Sequence, residues 1–265
     1  MSDQDTSEFQ PPPPPDFPPQ PTGPEVSFGE TLTGIFFEPT KTFESLRERP
    51  RFIVAMIISI VAIMTFTIMY TQKIGYDRII REAIENSPRT AQLTPEQRQQ
   101  QIEMQTKPIF KVIGYVIPVI FIAVFFLAIA GLYLLGTTLM GGRMRYKQAL
   151  AVLNYSSLPP VLLTMLINII LLFIKAEDSY DIVQAQRTGL VQANLSFLVD
   201  GKTSPALFTI LGSFDVFQFY GMFLAALGLR IVGKISSGTA WAIVIALFLI
   251  GLVLKVGLSL MFGAM

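Results

Sequence analysis

The sequence contains no cysteine and no histidine among its 265 residues. That excludes disulfides, thiol nucleophiles, zinc-finger and HExxH sites, haem-binding histidine and any Ser-His-Asp triad. No cofactor and no metal is expected. A carboxylate-only metal site or a carboxylate acid–base pair is left open by composition alone. The absence of cysteine carries little information on redox compartment. Charge is also scarce: 15% of residues are charged, against roughly 25% in a soluble domain. Net charge is only +1, so nothing electrostatic points to nucleic acid. The N-terminus has neither a basic region nor an apolar run of the signal-peptide kind, so the first membrane segment itself is expected to direct insertion.

Apolar residues are plentiful. They make up 51% of the chain, and they are gathered into long runs. Five segments reach the ~20 residues that a bilayer core requires: 52–70, 112–140, 149–174, 205–229 and 238–263. Backbone polar groups have no water partner there, so each is expected to be a helix. The expected fold is therefore an all-α membrane protein with five transmembrane helices, preceded by an amphipathic interfacial helix and a disordered proline-rich tail.

The tail covers residues 1–27. It holds half of all the prolines, including Pro11–Pro15, with five acidic residues and no basic one. Such a run favours polyproline II and cannot bury a core. It is either a ligand for a proline-binding domain or, more plainly, a solvated spacer. Residues 28–51 follow as an amphipathic juxtamembrane stretch. Phe28, Leu32, Ile35 and Phe36 fall at helical spacing, and Pro39 restarts a helix at its first-turn position. Phe43 and Leu46 lie away from Glu44 and Glu48. Lys41, Arg47, Arg49 and Arg51 are suited to lipid headgroups, so the segment is expected to lie on the membrane surface.

Orientation follows the basic residues of short loops. A five-span chain places three basic regions on one side: Lys41 to Arg51, Arg143 with Arg145 and Lys147, and Arg230 with Lys234. The opposite loops, 71–111 and 175–204, are longer and mix both signs. This predicts a cytoplasmic N-terminus and an outside C-terminus. Within 71–111, Ile79, Ile80, Ala83 and Ile84 line one helical face. Thr94-Pro95-Glu96-Gln97 reads as an N-cap, a first-turn proline and a capping box. A weaker apolar pattern runs through Ile182, Val183, Leu190, Leu195, Phe197 and Leu198, and these loops are expected to form a small outer cap.

Three polar residues within the spans are site candidates. Asp215 lies about nine residues into the fourth and Lys255 about eight from the end of the fifth. Antiparallel spans place both roughly 12–14 Å below the outer boundary at 1.5 Å per residue. An isolated charge there is costly, so a pair is expected, either a structural ion pair or part of an ion or proton relay; Lys255 snorkelling outward alone is the other structural option. Asn168 in the third span is placed to join the same polar layer. Pro118, Pro159 and Pro160 either kink their helices or open binding sites. The stretch from Gly228 to Ile235 imitates a phosphate-binding loop, but Ile235 stands where Ser or Thr is needed and no strand precedes it, so that reading is rejected. Gly141-Gly142 is expected to be a tight turn, and Gly221 with Ala225 a small-residue packing face. Asn194-Leu195-Ser196 fits a glycosylation sequon, relevant only in a eukaryotic source.

Several of these motifs occur together in one family. Phe36-Phe37-Glu38-Pro39-Thr40-Lys41-Thr42-Phe43 through Arg49-Pro50-Arg51 resembles the leading segment of Yip-domain membrane proteins. Gly141-Gly142-Arg143 through Tyr155-Ser156-Ser157-Leu158-Pro159 is similar to their turn between the second and third spans. Ser213-Phe214-Asp215-Val216-Phe217 and Leu224 to Leu229 resemble their fourth span. The resemblance covers roughly residues 30–262 and is closest to the bacterial branch. It implies a five-span fold with a cytosolic N-terminus and no catalytic residues. Eukaryotic members interact with Rab-type GTPases and with one another, but their acidic Leu-Tyr-Gly-Pro motif is absent here, and a bacterial member has no such pathway.

The expected protein is thus non-enzymatic and multi-pass, in a bacterial inner membrane or, if eukaryotic, in ER or Golgi membranes. Its expected partners are the lipid bilayer and a protein engaged through the tail or outer loops, in a homo- or hetero-oligomer. Its expected role is organising partners or lipids. The alternative is a small-solute or ion transporter using Asp215, Lys255 and Asn168. An intramembrane enzyme would need two convergent carboxylates at depth, and the spans hold only one.

Overall fold

The computed structural model describes residues 27–262, apart from 88–89, 91, 177–181, 183–184, 186–188 and 202. The proline-rich tail before Ser27, and Val183, lie outside the described residues. The described residues form helices, turns and no strand: α1 (Phe28–Phe37), α2 (Pro39–Glu48), α3 (Ile53–Ile74), α4 (Tyr76–Glu85), α5 (Pro95–Gln105), α6 (Pro108–Leu139), α7 (Tyr146–Ile174), a 3-10 turn (Leu195–Leu198), α8 (Pro205–Ser213), α9 (Val216–Gly233) and α10 (Ser237–Phe262). Five of these, α3, α6, α7, α9 and α10, are long and apolar enough to cross a membrane.

Local chemistry sets the boundaries. Ser27 caps α1: its hydroxyl accepts from the Glu30 amide at 3.2 Å, and the Glu30 carboxylate accepts from the Ser27 amide at 2.7 Å. These bonds hold the Glu30 carboxyl below its ordinary value. Pro39 occupies the first turn of α2, as expected from its position in the sequence. Thr94 and Gln97 make the reciprocal capping box of α5, at 3.3 and 3.0 Å. At 1.5 Å per residue α6 is ~48 Å long, more than the ~30 Å hydrocarbon core, so it tilts or projects.

The chain passes five times between two ends. One end, called here the near end, carries α1, α2, the α6–α7 turn and the α9–α10 turn. The Gln148 carboxamide donates to the Arg47 carbonyl at 2.6 Å, and the Arg143 amide donates to the Gly233 carbonyl at 3.0 Å. The three basic regions therefore do share one end. The far end carries α4, α5 and the 175–204 loop. There Lys111 pairs with Asp77 at 3.1 Å and the Tyr76 hydroxyl donates to the Phe110 carbonyl at 3.3 Å, tying the first loop to the start of α6.

The core sits at the near end, around α7, whose residues Gln148 to Ser156 are all buried. Here the amphipathic segment departs from expectation. It is helical, but its apolar face meets protein. Ile35, Phe43 and Leu46 are buried in the same cluster as Val152, Tyr155, Ala225 and Leu229. An amphipathic stripe fits a lipid surface and a protein groove equally well, and the bundle supplies a groove. A Cβ on Gly228 of α9 would stand 2.8 Å from both the Phe43 ring and Val152, so glycine is what lets the ring seat between α7 and α9.

This junction makes two variants informative. Phe43→Ala should cost about 3–5 kcal/mol through the cavity it leaves. Gly228→Ala should cost about 1–3 kcal/mol by overpacking. Thermal unfolding in detergent should show the double variant to be less destabilised than the sum of the two. Additive losses would mean that ring and glycine do not share this space.

Candidate functional site

The fourth crossing is not one helix. The continuous apolar run 205–229 divides at Phe214-Asp215 into α8 and α9. The break exposes the first amides of α9, which have no intrahelical acceptor. Each is satisfied. The Val216 amide donates to the Ala193 carbonyl at 3.2 Å. The Asp215 carboxylate accepts from the amides of Phe217 and Gln218 at 2.8 and 3.3 Å. Its other oxygen accepts from the Asn194 side-chain amide at 3.4 Å. Asp215 is thus the N-cap of α9, a negative charge on the positive end of the helix dipole.

The partner of this break is the stretch 189–198, which packs against the helices. Asn194 also accepts from the Ser196 amide and hydroxyl, at 3.1 and 2.6 Å, holding the 3-10 turn against α8. Three to four residues earlier in the loop, Leu190 and Val191 donate their amides to Asn168 of α7, 1% exposed, both at 2.8 Å. Gly189 permits that approach: its φ of +78° is costly for other residues, and a Cβ there would lie 3.1 Å from Asn168. Phe214 and Phe219 beside the break meet Phe248 of α10, with ring centroids 6.0 to 6.5 Å apart, and cover it on the outer side.

The polar residues of the spans therefore meet a loop and not one another. Asp215 and Lys255 form no ion pair. Lys255 is exposed on α10, in keeping with outward snorkelling. The expectation of a pair assumed an unbroken fourth helix. Once the helix divides, Asp215 turns to the amides it exposes and no longer needs a cation. Asn168 does belong to this polar layer, through the loop. Asn194, singled out as a sequon, is buried and bonded to Asp215. The sequence does carry the signal of the break: Asp215 followed three residues later by Gln218 is an N-cap pattern.

The basic candidates of the near end are tied down locally. Lys41 pairs with Glu38 at 2.9 Å and Arg47 with Glu48 at 3.3 Å, both at the surface. Arg51 lies in electrostatic range of the buried Tyr155 hydroxyl. Arg49 is half-buried. Among the described residues no three acidic side chains gather as a metal site would require.

The bonds made by Asn168 and Asp215 predict a ranking. Asn168→Leu leaves two amides without acceptors, about 1–3 kcal/mol each. Hydrogen exchange in detergent should show the amides of Leu190 and Val191 losing protection. Asp215→Ala should cost about 0.5–2 kcal/mol as a lost cap. Lys255→Met should stay within about 0.5 kcal/mol of the parent. A Lys255→Met loss as large as that of Asp215→Ala would restore the ion pair.

No curated protein and no solved structure shows significant similarity to the chain. The Yip1 domain model matches residues 33–258, from α1 to the last turns of α10, so that it spans the near-end helices, the break and all five crossings. With a match over most of its length and the five apolar helices that go with it, the chain belongs to the Yip1 domain family of membrane proteins.

Proposed function

We propose that the protein is a non-enzymatic scaffold of the membrane, and that the near end is its working face. The observation that carries this reading is the seating of α1 and α2. Phe43 is fixed between α7 and α9, and Gln148 holds the end of α2. The proline-rich tail is therefore joined to a rigid platform and not to a loose membrane-surface helix. That platform presents Glu38, Lys41, Glu44, Glu48 and the Phe37 ring, 83% exposed, to a protein partner. Further support comes from the polar layer, where Asp215, Asn168 and Asn194 all serve the fold. The near end faces the cytoplasm, and the membrane is the bacterial inner membrane, by the positive-inside rule and the branch resemblance.

The break in the fourth crossing is what favours transport instead, since divided helices line the sites of many transporters. There, however, the half-helix N-terminus faces a substrate. Here it faces the protein's own carboxylate, which also holds the loop. Proteoliposomes carrying Asp215→Asn would report on this: a solute or ion flux that the parent supports and the variant loses would establish the transport reading.

Two experiments test the proposal. Removing residues 2–26 retains the Ser27 cap and leaves the bundle intact, whereas truncation into residues 28–51 would remove core side chains. In-cell cross-linking of the full chain should recover a stoichiometric partner, and the tail deletion or Phe37→Asp should reduce it by about tenfold, as loss of an exposed anchor does. Recovery unchanged in both would reject the near-end platform. The chain has no cysteine, so single substitutions report sidedness. Lys147→Cys should be shielded from an impermeant thiol reagent in intact cells, and Gln100→Cys should be labelled.

A further inference from the structure

We propose that the near end also holds a binding site for the phosphate of an anionic phospholipid, in an open hollow between α6 and α7. This inference does not depend on the scaffold reading. The hollow has a volume of about 420 Å³ and is lined by Thr138, Gly142, Arg143, Met144, Arg145 and Gln148. That volume falls within the roughly 300–1,000 Å³ of small-ligand sites.

Three observations point to a lipid phosphate. The first is charge. Arg143 and Arg145 are exposed, and neither forms an ion pair with an acidic side chain among the described residues. The nearby cations Lys41 and Arg47 each have a glutamate partner. Two unpaired guanidiniums on one hollow offer paired N–H donors in the fork geometry that suits phosphate oxygens.

The second is depth. Leu139 and Met140, which lead into the hollow, are exposed apolar residues at the end of a crossing helix. The cationic residues follow within three to five positions. Hydrocarbon ends and headgroups begin over that interval, so a lipid lying along α6 brings its phosphate to Arg143 and Arg145. The exposed face of α6, with Leu135 and Leu132 one and two turns deeper, lies where its acyl chains would run.

The third is rigidity. The turn that carries the arginines is locked from behind. The Gly142 amide donates to the Thr137 carbonyl at 2.9 Å and the Arg143 amide to the Gly233 carbonyl at 3.0 Å. Gly142 packs so tightly that a Cβ would stand 2.6 Å from Ile235 and from Thr137. Gln148 accepts from the Arg145 amide at 2.7 Å while donating to Arg47, so the wall of the hollow is continuous with the α2 platform. A preorganised turn loses little freedom on binding, unlike a loose basic loop.

Native mass spectrometry of the full chain tests the site. The protein is released from nanodiscs of phosphatidylglycerol and phosphatidylcholine in equal amounts, and the retained lipids are counted. The parent should retain phosphatidylglycerol in about tenfold preference, as expected for charge-assisted bidentate contacts. R143Q/R145Q should lose the preference, and R143K/R145K should retain part of it. R230Q/K234Q, which removes two charges from the same end, should leave it unchanged. Equal preference in the parent and R143Q/R145Q would overturn the proposal, as would an equal loss in R230Q/K234Q. Displacement of the lipid by millimolar inorganic phosphate would overturn the lipid assignment in favour of a free-anion site. The arginines are exposed, and unchanged thermal unfolding of R143Q/R145Q would separate a lost site from a lost fold.

Discussion

The near half of α7 is enclosed on every side, and the other elements take their positions from it. Pro159 and Pro160 sit in the same helix and remove the amides that would bond the carbonyls of Tyr155 and Ser156. The opened backbone faces α9, where Gly221 lies against Pro160 and the Ser156 carbonyl. That small residue, with Ala225 and Gly228 further along, brings α9 close to α7. The approach creates the slot that Phe43 fills. A pair of prolines in one helix thus bears on where a residue more than a hundred positions earlier is packed, and with it on the platform at the near end.

A second constraint acts about a third of the way along the fourth crossing. A helix interrupted in a bilayer must find partners for each exposed amide from within the protein. Asp215 meets part of that demand, but a half-buried carboxylate needs donors of its own. The amides of Phe217 and Gln218 and the side chain of Asn194 provide them. Bringing Asn194 there requires the loop to approach the helices, and Asn168 secures it at Leu190 and Val191, just before Asn194. The break, the buried loop and the polar layer are therefore one solution to one problem. A cation at Asp215 would be an alternative solution, which is why the sequence invites the pairing with Lys255 that the structure does without.

Much of the architecture was legible. Five apolar runs, the restart at Pro39, the box at Thr94, the turn at Gly141-Gly142 and the small face of Gly221 and Ala225 all depend on local chemistry, and local chemistry is written in neighbouring residues. Two things were not legible, for different reasons. Amphipathicity says that a face is apolar, not what covers it, so Phe43 and Leu46 fitted lipid until α7 and α9 were seen to enclose them. Hydropathy says that a run can cross a membrane, not that it is one helix. The cap pattern at Asp215 and Gln218 was present but lay inside an apolar stretch, where a length argument outweighs it.

The two ends of the molecule are held in different proportions by the same forces. Near-end contacts are apolar and close-packed, and they converge on buried side chains from α1, α2, α3, α6, α7, α9 and α10. At the far end a smaller apolar cluster of Tyr70, Ile74, Ile79, Leu172, Ile182 and Leu190 is joined by directional polar bonds: Lys111 to Asp77, Tyr76 to Phe110, Asn168 to Leu190 and Val191, Lys73 to the Leu172 carbonyl. The early part of α6 shows the contrast. Ile109, Val112, Ile117 and Phe121 are exposed, whereas its inward contacts, Ala130, Tyr133 and Thr137, lie toward the near end. The far-end cluster is the smaller of the two, whereas removing one core side chain at the near end weakens every helix that meets there. Rearrangement is therefore expected at the far end, and any partner that requires a fixed surface is better served by the near end.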